Sequence, residues 1–106
     1  MIGAQEPQNA RQDFEQQLER TVNRLRTMSL DKLSQGNRVA DTRVVIQELA
    51  DAGRLALGLE AMGVPVLSEA ALADQLAVIG AQLLAATNNE VLESAARQLQ
   101  HLRSTL

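Results

Sequence analysis

Few side chains in this sequence are of the types that perform catalysis, and their spacing does not form an active site. Cysteine is absent, and His101 and Lys32 are the only residues of their kinds. His101 shares a polar helical face with Glu93 and Arg97, which is typical of an exposed histidine near a helix end. No Ser-His-Asp or Lys-based arrangement and no Gly-rich phosphate loop is present. The sequence therefore predicts a protein that has no catalytic residues and is not an enzyme.

The carboxylates are too scattered to predict a metal or cofactor site. Glu90 shares its helical face with basic Arg97, and no Glu-x-x-His motif occurs. Asp74 and Gln82 interrupt an otherwise apolar segment. They indicate either a helix strip that faces water or a polar contact with a partner or ligand, and their eight-residue spacing favours the strip. We expect neither a metal nor a cofactor.

The net charge is −3, yet basic residues are locally in excess in the N-terminal half. The absence of interleaved aromatic residues there argues against a nucleic-acid reader, as does the lack of any basic residue in 67–84, the stretch that most resembles a helix-turn-helix. A small regulatory or nucleic-acid-associated module that uses the basic region 20–43 is nevertheless the alternative function. The candidate contacts for an acidic partner are Arg20, Arg24, Arg26, Arg38 and Arg43.

The apolar pattern predicts an all-α fold, because apolar residues recur every three or four positions and no stretch alternates as a strand does. We expect a flexible tail over 1–9, followed by one domain over 10–106. Whether the first helix continues through Ser29 is open, since this serine is also a good helix cap. Start and stop signals predict a bundle of about four helices, at roughly 10–33, 41–62, 68–87 and 90–105.

The second and third predicted helices are joined by a short apolar connector. Gly63 is a good helix stop, and the following Val64-Pro65 does not continue a helix comfortably. A connector of about five residues predicts that the two helices pack as an antiparallel hairpin.

This hairpin, residues 55–84, contains more apolar surface than its neighbours easily cover. Thirteen of the seventeen residues in Ala70–Ala86 are Ala, Val, Ile or Leu. Uncovered apolar patches usually mark interfaces, and a two-fold homodimer is the commonest way to cover one. The alternative is that the first and last helices cover the hairpin within the monomer. The candidate interface residues are Leu55, Leu59, Met62, Val64, Val66, Leu72, Leu76, Ile79 and Leu83.

These features predict a non-enzymatic protein–protein interaction or assembly module. We expect a homodimer formed through the hairpin, with the polar first helix free to bind an unknown protein partner. A third hypothesis is a small-molecule carrier, with an apolar cavity left by Ala and Gly between the second and third helices. The polar start does not resemble a signal peptide, and no uncharged apolar run of about 18 residues occurs, so we expect no membrane span. Lack of cysteine fits a reducing compartment, so we expect a cytoplasmic protein.

Overall fold

The computed structural model describes residues 6–106, which are 79% helical and contain no strand. The predicted all-α helical bundle is confirmed. A single 3₁₀ turn, Glu69–Ala71, precedes the fourth helix. The α-helices are α1 (Glu6–Thr27), α2 (Leu30–Leu33), α3 (Arg38–Ala56), α4 (Leu72–Ala86) and α5 (Asn89–Thr105).

The N-terminal region differs from the expectation in two ways. Helix α1 begins at Glu6 instead of near residue 10, while residues 1–5 of the predicted tail lie outside the described residues. The first predicted helix is also interrupted, because α1 ends at Thr27 and the short α2 follows. Ser29 begins α2, and its Oγ accepts a hydrogen bond of 3.2 Å from the Lys32 N–H. The capping serine therefore starts a new helix at the break.

Helix α3 ends at Ala56, so the prediction that it extends to residue 62 is wrong. Gly58 has a φ of +73°, the left-handed conformation in which glycine commonly terminates a helix. The Gly58 N–H binds the Leu55 carbonyl at 3.0 Å, and the Leu59 N–H binds the Arg54 carbonyl at 2.8 Å. This pair of hydrogen bonds is a Schellman motif. The helix therefore stops at Gly58, and Gly63 lies beyond it in a loop.

The loop of residues 57–68, here called the strap, returns the chain to the start of α3. Arg43, near the beginning of α3, donates a 2.8 Å hydrogen bond to the carbonyl of Leu67, just before α4. At the far ends of the two helices, a Cβ placed on Gly53 would lie 3.8 Å from the Cα of Leu83. The first residues of α3 lie near the first residues of α4, and their last residues also lie close together, so the two helices run parallel. The predicted antiparallel hairpin is wrong.

Connector length explains this difference. A connector of about five residues joins only adjacent helix ends, which forces an antiparallel pair. The strap has 12 residues and can reach about 40 Å when extended. The 19 residues of α3 span about 28 Å, so the strap can cover the whole helix and start α4 beside the start of α3. Four-helix bundles with one long crossover connection are built in this way.

The four long helices form a ring in which α1 packs on α5, α5 on α3, α3 on α4 and α4 on α1. Arg11 Nη2 binds the Leu84 carbonyl at 2.9 Å and Arg26 binds Asp74 at 2.8 Å, so α1 and α4 are antiparallel. One core lies inside the ring. Its largest fully buried apolar side chains are Phe14, Ile46, Leu49, Leu72, Leu76, Leu83, Leu92 and Leu99.

The segment Glu69–Ala86 has the length and composition of a membrane-spanning helix, and 33% of it is buried inside the bundle. Leu72, Leu76 and Leu83, three of its large side chains, lie in the core without solvent exposure. The core helix of a globular protein also passes this test of length and composition.

Candidate docking surface and groove

Gln47 of α3 attaches the middle of the strap to the bundle. Its Nε2 donates to the Met62 carbonyl at 3.1 Å, and its Oε1 accepts from the Val64 N–H at 2.8 Å. The same Nε2 donates to Asp51 Oδ1 at 2.8 Å, which orients the amide. One side chain thus satisfies a donor and an acceptor of a loop that has no regular secondary structure.

Other polar side chains bind strap carbonyls on either side of Gln47. Arg54 Nε donates to Glu60, and Gln75 Nε2 of α4 donates to Pro65 at 2.9 Å. Together with the contact from Arg43 to Leu67, they fix the strap along its length. Neither Gln47 nor Arg54 is among the residues that the sequence pattern singles out. A signal was available, since residues 43, 47 and 54 follow a helical spacing of four and seven and lie on one face.

The strap carries most of the exposed apolar surface in the described part of the chain. Nine large hydrophobic side chains are exposed there, and six of them fall within residues 55–67. We call these six the strap surface. They are Leu55 (77% exposed), Leu57 (63%), Leu59 (47%), Met62 (61%), Val66 (80%) and Leu67 (41%).

The predicted interface residues separate into three groups by burial. Exposed members are Leu55, Leu59, Met62 and Val66, all on the strap surface. Val64 and Ile79 are half-buried against the core. Leu72, Leu76 and Leu83 have no exposed surface and pack inside the monomer, so they offer nothing to a partner. The last three lie on the inward face of α4, where α1 and α3 cover them.

A groove of about 550 Å³ lies between the strap, the second half of α3 and the second half of α4. Its walls are mainly apolar, and Arg54 is the one charged residue among them. Gln82 of α4 is the other polar side chain of the lining. The principal apolar walls are Leu57, Leu59, Met62, Val64 and Ile79, whereas Leu49 and Leu83 lie behind them with almost no exposed surface.

The predicted basic contacts do not form a free cationic surface. Arg24 and Arg38 donate to the main-chain oxygen of Leu106, at 3.1 and 3.4 Å, and Arg26 pairs with Asp74 at 2.8 Å. Arg43 holds the strap, as described above. Of the five predicted contacts, Arg20 alone is exposed without a hydrogen bond to the described residues. Four of the five therefore also bind a main-chain oxygen or a carboxylate of this chain.

His101 lies on the exposed face of α5, as its position between polar residues predicts. Within residues 6–106, no group of three or more His, Asp or Glu side chains is arranged to hold a metal ion. Asp74 and Gln82 are both exposed, in agreement with the interpretation that they mark a water-facing strip of α4. The candidate functional features of the described residues are therefore the strap surface and the groove beneath it.

Comparison with protein-family models, with curated proteins and with solved structures gives no match for this chain.

Proposed function

We propose that this protein is a non-enzymatic interaction module that assembles as a homodimer through the strap surface. The observation that carries the proposal is the concentration of six exposed large hydrophobic side chains within residues 55–67. Single exposed apolar residues are ordinary, whereas a contiguous group of this kind usually marks a binding surface.

The attachment of the strap supports this role. A loop that orders only on binding loses conformational entropy at that moment, which weakens association. Here Gln47 and three further side chains already fix the strap main chain. The apolar side chains are thus presented on a preorganised backbone, and less of the binding free energy is spent on ordering the loop.

A second copy of the chain is the partner that we favour. Within 55–68 the only charged residue is Glu60, so two identical strap surfaces meet with little electrostatic repulsion. A standard interface covers about 800 Å² per partner, roughly one eighth of the 6444 Å² surface of this monomer. Two-fold pairing through one self-complementary patch is the commonest form of protein assembly. We place this assembly in the cytoplasm, since the absence of cysteine fits a reducing compartment.

Light scattering after size-exclusion chromatography tests the proposal with a matched pair of variants. Val66→Asp adds a charge to the strap surface, and Val78→Asp makes the same change at an exposed site of α4 outside it. We expect a dimer for the wild type and for Val78→Asp, and a monomer with unchanged helicity by circular dichroism for Val66→Asp. A wild-type mass of 11.5 kDa at every concentration would overturn the proposal. A dimer for Val66→Asp, or a monomer for Val78→Asp, would show that the dimer uses another surface.

A further inference from the structure

The groove beneath the strap is a separate feature from the surface above it. Its walls come from α3, α4 and the inner side of the strap, and the packed core does not fill it. We propose that this groove binds a single-chain fatty acid, with the acyl chain along the apolar walls and the carboxylate on Arg54. This goes beyond the proposed dimer, because the ligand is a small molecule and not a second chain. The groove and the strap surface share Leu57, Leu59 and Met62, whereas Leu55, Val66 and Leu67 do not line the groove.

The size of the groove suits such a ligand. Pockets that hold small molecules usually have volumes of about 300–1,000 Å³, and this one has about 550 Å³. At the ~30 Å³ that a water-sized group occupies in a liquid, the space holds at most roughly 18 heavy atoms. Dodecanoate has about 14 heavy atoms by this count and fits with room for imperfect packing.

The walls also suit an acyl chain chemically. Apart from Arg54 and Gln82, they are leucine, isoleucine, valine, methionine, proline, alanine and glycine, which offer apolar contacts to an unbranched chain. Arg54 and Gln82 are the two polar side chains of the lining, so the acyl chain would meet few polar groups.

Charge selects the head group. The Arg54 guanidinium uses Nε to bind the Glu60 carbonyl, and its Nη1 and Nη2 have no acceptor within residues 6–106. No Asp or Glu lines the groove, so the one charged residue that a carboxylate meets in its lining is Arg54. Guanidinium donors pair with carboxylates in a charge-assisted geometry, which a neutral head group does not reproduce.

Titration of the ¹⁵N-labelled full chain with dodecanoate, below its micelle concentration, tests the site by NMR. We expect saturable shifts at groove amides such as Gly53, Gly63 and Ile79, with one ligand bound per chain. Ala85 and Ala81 are exposed alanines one turn apart on α4, and Ala85 alone of the two lines the groove. Ala85→Phe should weaken binding at least tenfold, whereas Ala81→Phe should bind as the wild type does.

Dodecanol provides the matched neutral probe for the head group. We expect it to bind about tenfold to a hundredfold more weakly than dodecanoate, the range that a charge-assisted hydrogen bond gives. Arg54→Gln keeps a donor for Glu60 but removes the charge, so it should bind the two probes equally. Shifts that fail to saturate, or equal binding by Ala85→Phe and Ala81→Phe, would overturn the proposal. The monomeric Val66→Asp variant should still bind dodecanoate, so failure of the dimer and failure of the groove are distinguished.

Discussion

The two sides of this bundle are held together by different interactions. On the α1–α5 side, side chains such as Phe14, Leu92 and Leu99 have no exposed surface. On the strap side, residues 57–68 contribute no fully buried side chain and are held by hydrogen bonds from α3 and α4 to their main chain. Burial of apolar side chains therefore stabilises the α1–α5 side. On the strap side, polar side chains of the helices stabilise the loop by binding its main chain.

This difference explains why apolar residues remain on the surface. A loop that is stabilised by its own apolar side chains must point them inward. When side chains of the helices bind the loop main chain instead, the loop side chains are free to face outward. The strap thus has a defined backbone and an exposed apolar surface at the same time, a combination suited to recognition.

The largest expected difference between the two regions is the loss of unfolding free energy when a leucine is replaced by alanine. Leu76 has no exposed surface and Leu59 is 47% exposed. Leu76→Ala should lower the free energy of unfolding by about 2–5 kcal/mol, because it removes buried methyl groups and leaves a cavity. In the monomeric Val66→Asp background, where Leu59 makes no dimer contact, Leu59→Ala should change it by less than about 0.5 kcal/mol, as surface substitutions do. Urea denaturation followed by circular dichroism measures both. Similar losses for the two variants would show that the strap surface contributes to the monomer core.

A smaller effect is expected from releasing the strap. Gln47→Leu removes the partners of the exposed Met62 carbonyl and of the half-buried Val64 N–H, at a cost of about 0.5–1.5 kcal/mol, mainly from the Val64 N–H. The effect should be local, with faster hydrogen exchange in 57–68 and unchanged protection in α1 and α5. Gln100→Leu, at an exposed site of α5, is the control. Unchanged exchange at Val64 would contradict the role given to Gln47.

Local signals in the sequence were sufficient for the all-α class and for the cap at Ser29. This serine caps α2 with its side chain, since it combines a short polar side chain with a following apolar repeat. The apolar run of 55–84 was also visible, but not which of its residues face inward. Leu59 and Leu76 both lie in apolar helical patterns. Leu59 is exposed because α3 ends before it, and Leu76 is buried because it lies within α4.

The end of α3 is the point where sequence reasoning failed, and the topology followed from it. Gly58 and Gly63 are both plausible helix stops, because each lies at the end of an apolar helical pattern. Choosing Gly63 gave a short connector and an antiparallel hairpin. The structure uses Gly58, which lengthens the connector to 12 residues and makes α3 and α4 parallel. The polar residues that hold the strap could not be recognised without knowing that the strap exists.

The two glycines therefore give the finest test of the comparison between the regions. Neither has another atom within 4 Å of an added Cβ, so Ala meets no steric obstacle at either site. They differ in backbone conformation, since Gly58 has a φ of +73° and Gly63 has no positive φ. Gly58→Ala should destabilise the protein by about 1 kcal/mol, the cost of a left-handed alanine. Gly63→Ala should stabilise it by about 0.4–1 kcal/mol, because it restricts the unfolded chain.

Urea denaturation of both variants under the same conditions measures this difference in sign. The added methyl group makes no contact at either position. A difference between the two variants in the free energy of unfolding therefore reports the backbone conformation alone. Stabilisation by Gly58→Ala would mean that α3 gains from continuing past residue 58, as the sequence pattern first predicts. The strap would then be a shorter loop in solution, and both its exposed surface and the groove beneath it would be lost. If Gly58→Ala instead destabilises the protein and Gly63→Ala stabilises it, the left-handed conformation of Gly58 is what ends α3 and makes the crossover connection possible.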